Sequence, residues 1–304
     1  MKIYAVVVTY NRLALLTRLV AKLTDIPKLT KIVIVNNGSN DGTREWLDSL
    51  VADSRLCIIH QDNVGGSGGF YTGMKAAYES GADYVWCMDD DVYPTDNCLD
   101  TLLKADVSGE IGILCPRRVM IDNKEPFATE CRKLDLSNPI ASLHAGPLKK
   151  EVITEPVEIE GMVFEGPLIK RELIKAIGYP NKDLFIFYDD TDYSYRAALA
   201  GYKVMYVPDA ILEKERFFVK DTWQQKQMKK RWKRLYHVRN NAYFNHKYGK
   251  NVMVRYMRPF TTLVGYLFST ALLLPRKNGA SVSDIRALCK AYRSGLKHQL
   301  GKIG

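Results

Sequence analysis

Two rhythms of apolar residues alternate along the first hundred positions. Ile3 to Val8, Lys31 to Val35, Leu56 to Ile59 and Tyr84 to Met88 are short runs, many of them β-branched and almost free of charge. Runs of this kind fit strands of a parallel sheet, buried on both faces. Between them apolar residues recur at helical spacing: Leu15, Leu16, Leu19, Val20 and Leu23, then Trp46 and Leu50, then Met74, Ala77 and Tyr78. The order β-α-β-α-β-α-β predicts an α/β chain built on a doubly wound, mostly parallel sheet. Such sheets bind ligands outside the carboxyl ends of their strands. Each run here ends in a polar loop: Thr9 to Arg12, Asn36 to Thr43, the glycine-rich turn Asn63 to Gly69, and Asp89 to Asp91. Thr9 to Arg12, Asn36 to Ser39, Asn63 to Gly69 and Asp89 to Asp91 are therefore expected to line one crevice.

The last loop carries the clearest chemistry. If the chain stays extended, Asp89 and Asp91 point one way and Asp90 the other. Two carboxylates on one side make a hard oxygen site suited to Mg²⁺ or Mn²⁺, which are held by one or two carboxylates plus substrate phosphates. A solvated acidic loop would have the same sequence, and the convergence of four loops favours the metal site. A second acidic group follows the aromatic run Phe185 to Tyr188, at Asp189, Asp190 and Asp192. Capping the helix through Tyr195, Ala198 and Leu199 explains one of these carboxylates but does not need three.

The middle of the chain is less regular. A strand is expected at Ile111 to Pro116, loops or short strands over residues 122 to 150, a helix through Leu173 and Ile177, and a strand at Tyr202 to Val207. Trp223 to Phe244 reads as one long helix, equally suited to a membrane interface and to packing on the rest of the chain.

Composition adds limits. At 304 residues with 46% apolar content, this is one large domain or a domain with an appendage. The six cysteines lack zinc or redox spacing and read as reduced thiols of a cytoplasmic protein. The start lacks the features of a signal peptide. The longest apolar stretch, Phe260 to Leu274, has 15 residues. A spanning helix needs about 20, so a buried or interfacial helix is expected. The net charge of +10 is local: Arg216 to Arg258 carries 13 basic residues and one acid, and the remainder sums to −2. A basic segment beside an apolar stretch points to an anionic membrane surface. A module that only binds membrane or nucleic acid would leave the acidic crevice without a purpose, so no nucleic-acid partner is expected.

Two glycine motifs are absent. Residues 65 to 70 do not have Gly-x-Gly-x-x-Gly spacing, and no P-loop occurs. Gly66 and Gly68 can still let a phosphate or sugar approach the backbone closely. An aspartyl-phosphate phosphatase is disfavoured, since Tyr93 stands where that chemistry needs Thr or Val.

Taken in order, Thr9-Tyr10-Asn11-Arg12, Asn36-Asn37-Gly38-Ser39-Asn40-Asp41-Gly42-Thr43, the Asp89-Asp90-Asp91 triplet, and Tyr188-Asp189-Asp190-Thr191-Asp192 with Arg196-Ala197 resemble the family 2 glycosyltransferases of GT-A fold. The likeness runs from residue 3 to about 212, and Tyr236 to Asn241 extends it into the tail. Asn63 to Phe70 followed by Trp86 to Asp91 is similar to the bacterial branch with galactofuranosyl- and rhamnosyltransferases. The resemblance implies a GT-A catalytic domain over 1–212, with a nucleotide-sugar half to about residue 100 and an acceptor half beyond it. Residues 213–304 then form a basic helical extension.

The activity so implied is an inverting, metal-dependent transfer from a nucleotide sugar to a hydroxyl of a glycan or lipid-linked acceptor, in surface polysaccharide synthesis at the inner membrane face. UDP-galactofuranose is the favoured donor and dTDP-rhamnose the alternative. Thr9, Asn11, Asn37, Gly66, Gly68 and Asp90 are implied on the donor side, Asp89 and Asp91 at the metal, and Asp190 as catalytic base. Tyr188, Asp189 and Gly166 are implied on the acceptor side. Members often have a metal-binding His after the strand matching Tyr202 to Val207, and none stands here. Glu213 supplies an oxygen instead, or Lys214 meets the diphosphate directly, or the metal is held more weakly.

Overall fold

The computed structural model describes residues 1–148, 153–216, 231–274 and 280–303. Its first half follows the predicted order: β1 (Ile3–Thr9), α1 (Leu13–Thr24), β2 (Leu29–Asn36), α2 (Thr43–Asp48), β3 (Leu56–His60), α3 (Gly65–Glu79) and β4 (Tyr84–Asp89). β1 pairs in parallel with both β2 and β4, and β2 with β3. All seven residues of β1 are buried, which is why the strand alternates no polar residues. Val6 and Val8 face one core layer, Ala5 and Val7 the other. α3 presses closely on this strand. A Cβ on Gly69 or Gly73 would lie 2.4 Å from Val8 Cγ1 or 2.3 Å from Val6 Cγ1.

The second half contains β5 (Val92–Pro94), α4 (Cys98–Lys104), β6 (Ile111–Met120), the hairpin β7 (Cys131–Leu134) and β8 (His144–Pro147), and β9 (Val157–Ile159). It continues through β10 (Leu168–Lys170), α5 (Arg171–Ile177), α6 (Asp189–Leu199) and β11 (Lys203–Lys214). The large sheet runs β3-β2-β1-β4-β10-β6-β11-β5, with β9 also on β11. β10 is antiparallel to both β4 and β6, so the sheet is mixed at its centre. This strand has three residues and leads straight into α5, so the sequence reads as a lead-in to a helix.

Among the described residues α7 (Arg231–Tyr248), α8 (Arg258–Ala271) and α9 (Val282–Leu296) follow, with a π-helical turn at Met253–Met257 leading into α8. The expected start of the long helix, residues 223–230, lies outside the described residues. α7 buries an unusually polar set, including Arg239, Asn240, Asn241 and Asn245. The reason is a bracket on the loop before α6. Asn240 Nδ2 donates to the carbonyls of Leu184 and Ile186 at 2.9 Å and of Phe187 at 3.0 Å, and Arg239 donates to Leu184 O at 2.9 Å. Buried carbonyls of an irregular loop need such donors. Of the two readings of this helix, its described part therefore carries out packing.

Candidate active site

The sheet brings Thr9, Asp89 and the loops after them together through register. Val8 pairs with Asp89, so Thr9 stands beside Asp90 and its Oγ1 donates to Asp90 Oδ2 at 2.7 Å. The chain does not stay extended through the triplet. It turns at Asp90 and Asp91 so that β5 can run antiparallel to β11. Asp90 and Asp91 are consequently brought to one cation rather than held apart. Arg12 Nη1 lies 2.9 Å from Asp90 Oδ1 and 3.1 Å from Asp91 Oδ2.

From Asp91 a chain of alternating charges runs inward. Lys214 Nζ lies 3.2 Å from Asp91 Oδ1 and 2.9 Å from Glu165 Oε1. Arg118 joins Glu165 to Glu130, the latter at 2.8 Å. Burying these ions demands such pairing, because each isolated charge would cost several kcal/mol, on the order of that for any desolvated ion. Burial pushes the Glu165 carboxyl up, but Arg118 and Lys214 outweigh it and hold it below the ordinary carboxylate range. Asp89 is the member left short of positive charge. Burial first, then the neighbouring Asp91 and Glu165, push its carboxyl well above the ordinary range, against the pull of Lys214.

Among the described residues no three His, Cys, Asp or Glu side chains form a ready-made metal cage. The donor set nevertheless suits a divalent cation. Asp89 has no ion-pair partner among the described residues, and with Asp91, which Arg12 and Lys214 hold, it offers hard oxygens; Mg²⁺ and Mn²⁺ take their remaining ligands from substrate phosphates and water. Glu213 is not among those donors. It pairs with Lys124 at the surface, because alternation along β11 turns it away from the face that carries Lys214. The Glu213 alternative is corrected accordingly, and the residue that reaches the triplet is Lys214.

The glycine-rich turn opens α3 against the loop 185–188. Gly65 has φ +80° and a Cβ there would lie 2.1 Å from Phe185 O. The glycine is needed for this backbone approach. Gly66 has nothing within 4 Å of a built Cβ and faces the crevice. Gly68 does not: its α-carbon packs on the Val64 side chain. Asn37 faces the crevice while its side chain ties the turn, donating to Gly65 O at 3.0 Å and accepting from Gln61 Nε2 at 2.9 Å. Asn11 (φ +54°) links two crevice loops, accepting from Asn40 N at 2.8 Å. Gly166 (φ +91°) is a packing position, where a Cβ would lie 2.7 Å from Pro116 and where the carbonyl accepts from Trp86 Nε1 at 2.8 Å. Its place on the acceptor side is therefore corrected. Its neighbour Glu165 reaches the site instead.

Phe185, Phe187 and Tyr188 all have φ near +67°. Three non-glycine residues in this region within four positions store strain, and such strain collects at ligand sites. The loop divides two cavities. Phe185 and Ile186 line one of about 630 Å³ with Thr9, Arg12, Gly66, Asp89 and Asp90. Phe187 and Tyr188 line another of about 1150 Å³ that contains Asp190. α7 and the C-terminus close the smaller cavity through Trp232, Tyr236 and Lys302, a contribution the sequence did not reveal.

Asp190 lies in the first turn of α6, where Thr191 N donates to its Oδ1 at 2.7 Å. Burial, then the Asp189 charge, push its carboxyl up to about 7. Burial likewise raises Asp189, to about 6. Asp192 is structural. It pairs with Arg196 Nε at 2.8 Å and accepts from Tyr248 OH at 2.8 Å. Glu165 acts on both Asp89 and Asp190, so the two carboxylate groups share one electrostatic neighbourhood. Tyr188 OH accepts from Asn241 Nδ2 at 2.7 Å, and burial raises its phenol to about 12. His237 Nδ1 and Asn241 Oδ1 belong to residues lining the larger cavity and are buried without a protein partner among the described residues. Neither residue was singled out for the site from sequence, although both stand in the segment Tyr236 to Asn241.

Residues 4–178 match the model of glycosyl transferase family 2. The galactofuranosyltransferase GlfT1 of Mycolicibacterium smegmatis is 29% identical over 206 residues, and the match spans 65% of each chain. The dTDP-rhamnosyl transferase RfbF of Shigella flexneri is 24% identical over 212 residues, 68% of this chain and 67% of that one. The match thus spans slightly less than two thirds of the GlfT1 length. Among solved structures, the mannosyltransferase PcManGT from Pyrobaculum calidifontis, in complex with GDP-Man and Mn²⁺, superposes with a TM-score of 0.54 at 16% identity, covering 98% of this chain and 83% of that one. The last likeness is one of fold, the GT-A arrangement of a mostly parallel sheet with C-terminal helices. With more than half of its length matching the family model, the chain belongs to glycosyl transferase family 2.

Proposed function

We propose that this protein transfers a sugar, galactofuranose from UDP-galactofuranose, to a hydroxyl of a glycan or lipid-linked acceptor with inversion at the anomeric carbon. The reaction serves surface polysaccharide synthesis at the inner face of the membrane. The observation that carries this reading is the loop 185–188, which has a carboxylate-lined cavity on its Phe185 side and a larger cavity with Asp190 on its Tyr188 side. An inverting transfer places the leaving group and the attacking hydroxyl on opposite sides of the anomeric carbon, which suits donor and acceptor spaces on the two sides of this loop.

In this reading the smaller cavity takes the nucleotide sugar, with Thr9, Asn37 and Gly66 along the nucleoside and sugar, and Asn11 fixing the loop. Asp89 and Asp91 would hold a divalent cation, Mn²⁺ or Mg²⁺, which would supply Lewis-acid stabilisation to the departing diphosphate. Arg12 and Lys214 add fixed positive charge beside it. Asp190 takes the proton of the acceptor hydroxyl as its oxygen bonds to the anomeric carbon. The bond from that carbon to the UDP oxygen breaks and the electron pair leaves with UDP. A carboxyl raised to about 7 is a suitable base near neutral pH. Thr191 N–H fixes its rotamer, and His237 and Asn241 supply hydrogen-bonding partners for acceptor hydroxyls.

The 29% identity to GlfT1 supports galactofuranose over rhamnose. The similarity to RfbF keeps dTDP-rhamnose as the second reading. Parallel assays with the two donors and Mn²⁺, scored by mass spectrometry of the product, decide between them. Transfer from dTDP-rhamnose alone would replace the first reading with the second.

A further inference from the structure

α8 is apolar on the side that faces away from the protein. Tyr256, just before it, and Phe260, Val264, Phe268 and Leu272 follow each other at four-residue intervals and are 48, 53, 45, 67 and 55% exposed. The remaining exposed positions of the helix, Thr261, Gly265 and Ala271, are uncharged. Its one ion, Arg258, is buried and donates to Asp135 O at 2.6 Å and Asn245 Oδ1 at 3.2 Å. On the inner side Leu263 packs with Val238 and Leu288. Solvent-facing helix surfaces normally carry charge, and a continuous apolar stripe marks an interaction surface.

The surroundings of the stripe identify the partner. Residues 231–304 contain 15 Lys and Arg and one acid, Asp284. That acid is engaged by Arg231 and by the N-terminus of α9. Arg286, Lys290, Arg293 and Lys297 are exposed on one face of α9 at helical spacing. The Tyr292 ring of that helix approaches the Phe260 ring, with centroids 6.5 Å apart, so the basic and apolar surfaces adjoin. A second copy of the chain would bring an equally basic surface against this one. An anionic bilayer supplies both an apolar layer and negative charge. α8 is about 21 Å long at 1.5 Å per residue. Among the described residues no helix is long and apolar enough to cross a membrane.

We infer that α8 lies along the interface of an anionic bilayer, with Phe260, Val264, Phe268 and Leu272 in the acyl boundary and the α9 cations against the head groups. The same helix walls the larger cavity through Arg258, Thr261 and Thr262, beside Asp190. Membrane contact therefore sets the mouth of that cavity next to acceptors carried by lipid. This second part rests on the proposed glycosyl transfer, whereas the docking itself does not.

The test uses the full chain with vesicles of phosphatidylcholine alone or mixed with phosphatidylglycerol, read by co-sedimentation. Wild type is expected to sediment with the mixed vesicles and to be released by salt. The double variant F260D/F268D changes two exposed side chains, so its melting temperature should stay within a few degrees. Its vesicle binding should fall at least tenfold, while transfer to a short water-soluble acceptor stays within twofold of wild type. K290E/R293E should weaken binding to mixed vesicles only. Equal sedimentation of wild type and F260D/F268D would overturn the inference, as would failure of wild type to bind. A wild-type dimer that F260D/F268D converts to monomer would assign the face to a second copy instead. Vesicle binding without any sugar transfer would keep the docking and overturn the proposed function alone.

Discussion

The ammonium of Lys214 lies 3.2 Å from Asp91 Oδ1, one strand position beyond Glu213, whose carboxylate turns to Lys124 at the surface. A cation thus stands against the triplet, where an oxygen of Glu213 was one of the alternatives. Lys214 also holds Glu165, and the side chains of Asp91, Lys214 and Glu165 are 7, 11 and 18% exposed. Lys214→Ala is expected to destabilise the fold by about 3 kcal/mol, the cost of removing one cation from a charge network that Arg12 and Arg118 still partly neutralise. It should also lower kcat at least tenfold with the correct donor. Glu213→Ala should stay within about 0.5 kcal/mol of wild type, as for an exposed surface change. Chemical denaturation and steady-state kinetics of the pair provide the check. Equal effects would remove Lys214 from the site.

Asp190 gives a pH signature. Its carboxyl must be ionised to accept a proton, and burial raises it to about 7. The kcat/KM of the enzyme should therefore rise through about pH 7 and level off above it. Stability moves the other way. The folded carboxyl titrates higher than the unfolded one, so ionisation penalises the fold increasingly as pH rises from the ordinary Asp range to about 7. Asp190→Asn should be relatively more stable than wild type at pH 8 than at pH 5. Thermal melts at the two pH values test this, and a constant difference would contradict the burial of the group.

The two neighbouring glycines should separate structure from binding. Gly65→Ala puts a Cβ into Phe185 O and forces a strained φ, so a loss of about 1–3 kcal/mol is expected. Gly66→Ala meets open space and should leave the melting temperature nearly unchanged while weakening UDP binding. Calorimetric titration with UDP and Mn²⁺ distinguishes them. Undiminished UDP affinity in Gly66→Ala would move the nucleotide away from this turn.

On the acceptor side, His237→Ala and Asn241→Ala should raise the acceptor KM severalfold with little change in the KM for the donor. Both residues have polar atoms without a protein partner at the larger cavity. An effect confined to the donor KM would reassign the two cavities.

What was legible in the sequence follows from locality. β1, β2 and β4 are parallel strands buried on both faces and β3, at the sheet edge, is half-buried, so their apolar runs and terminal loops stand out one after another. Asp89 and Asp91 stood out at the end of such a run, and Asp190 after an aromatic run that folds as a loop. The charge chain was not, because its links join Arg118 to Glu165 and Glu165 to Lys214 across 47 and 49 residues. β10 was missed because three residues carry no period. The positive φ at Phe185, Phe187 and Tyr188 was hidden because aromatic residues stand where glycine would normally signal it. Gly68 and Gly166 were misplaced for the converse reason: a glycine marks close approach, and here the close neighbours are Val64 and Pro116 rather than a ligand.

Activation of the acceptor by Asp190 is the step most directly open to measurement. Wild type and Asp190→Asn should be compared with UDP-galactofuranose, Mn²⁺ and a galactan or lipid-linked acceptor, with UDP affinity measured alongside. The expected result is unchanged UDP binding and a fall in transfer of about 10²- to 10⁴-fold, the usual contribution of a positioned base. Near-normal transfer by Asp190→Asn would contradict it.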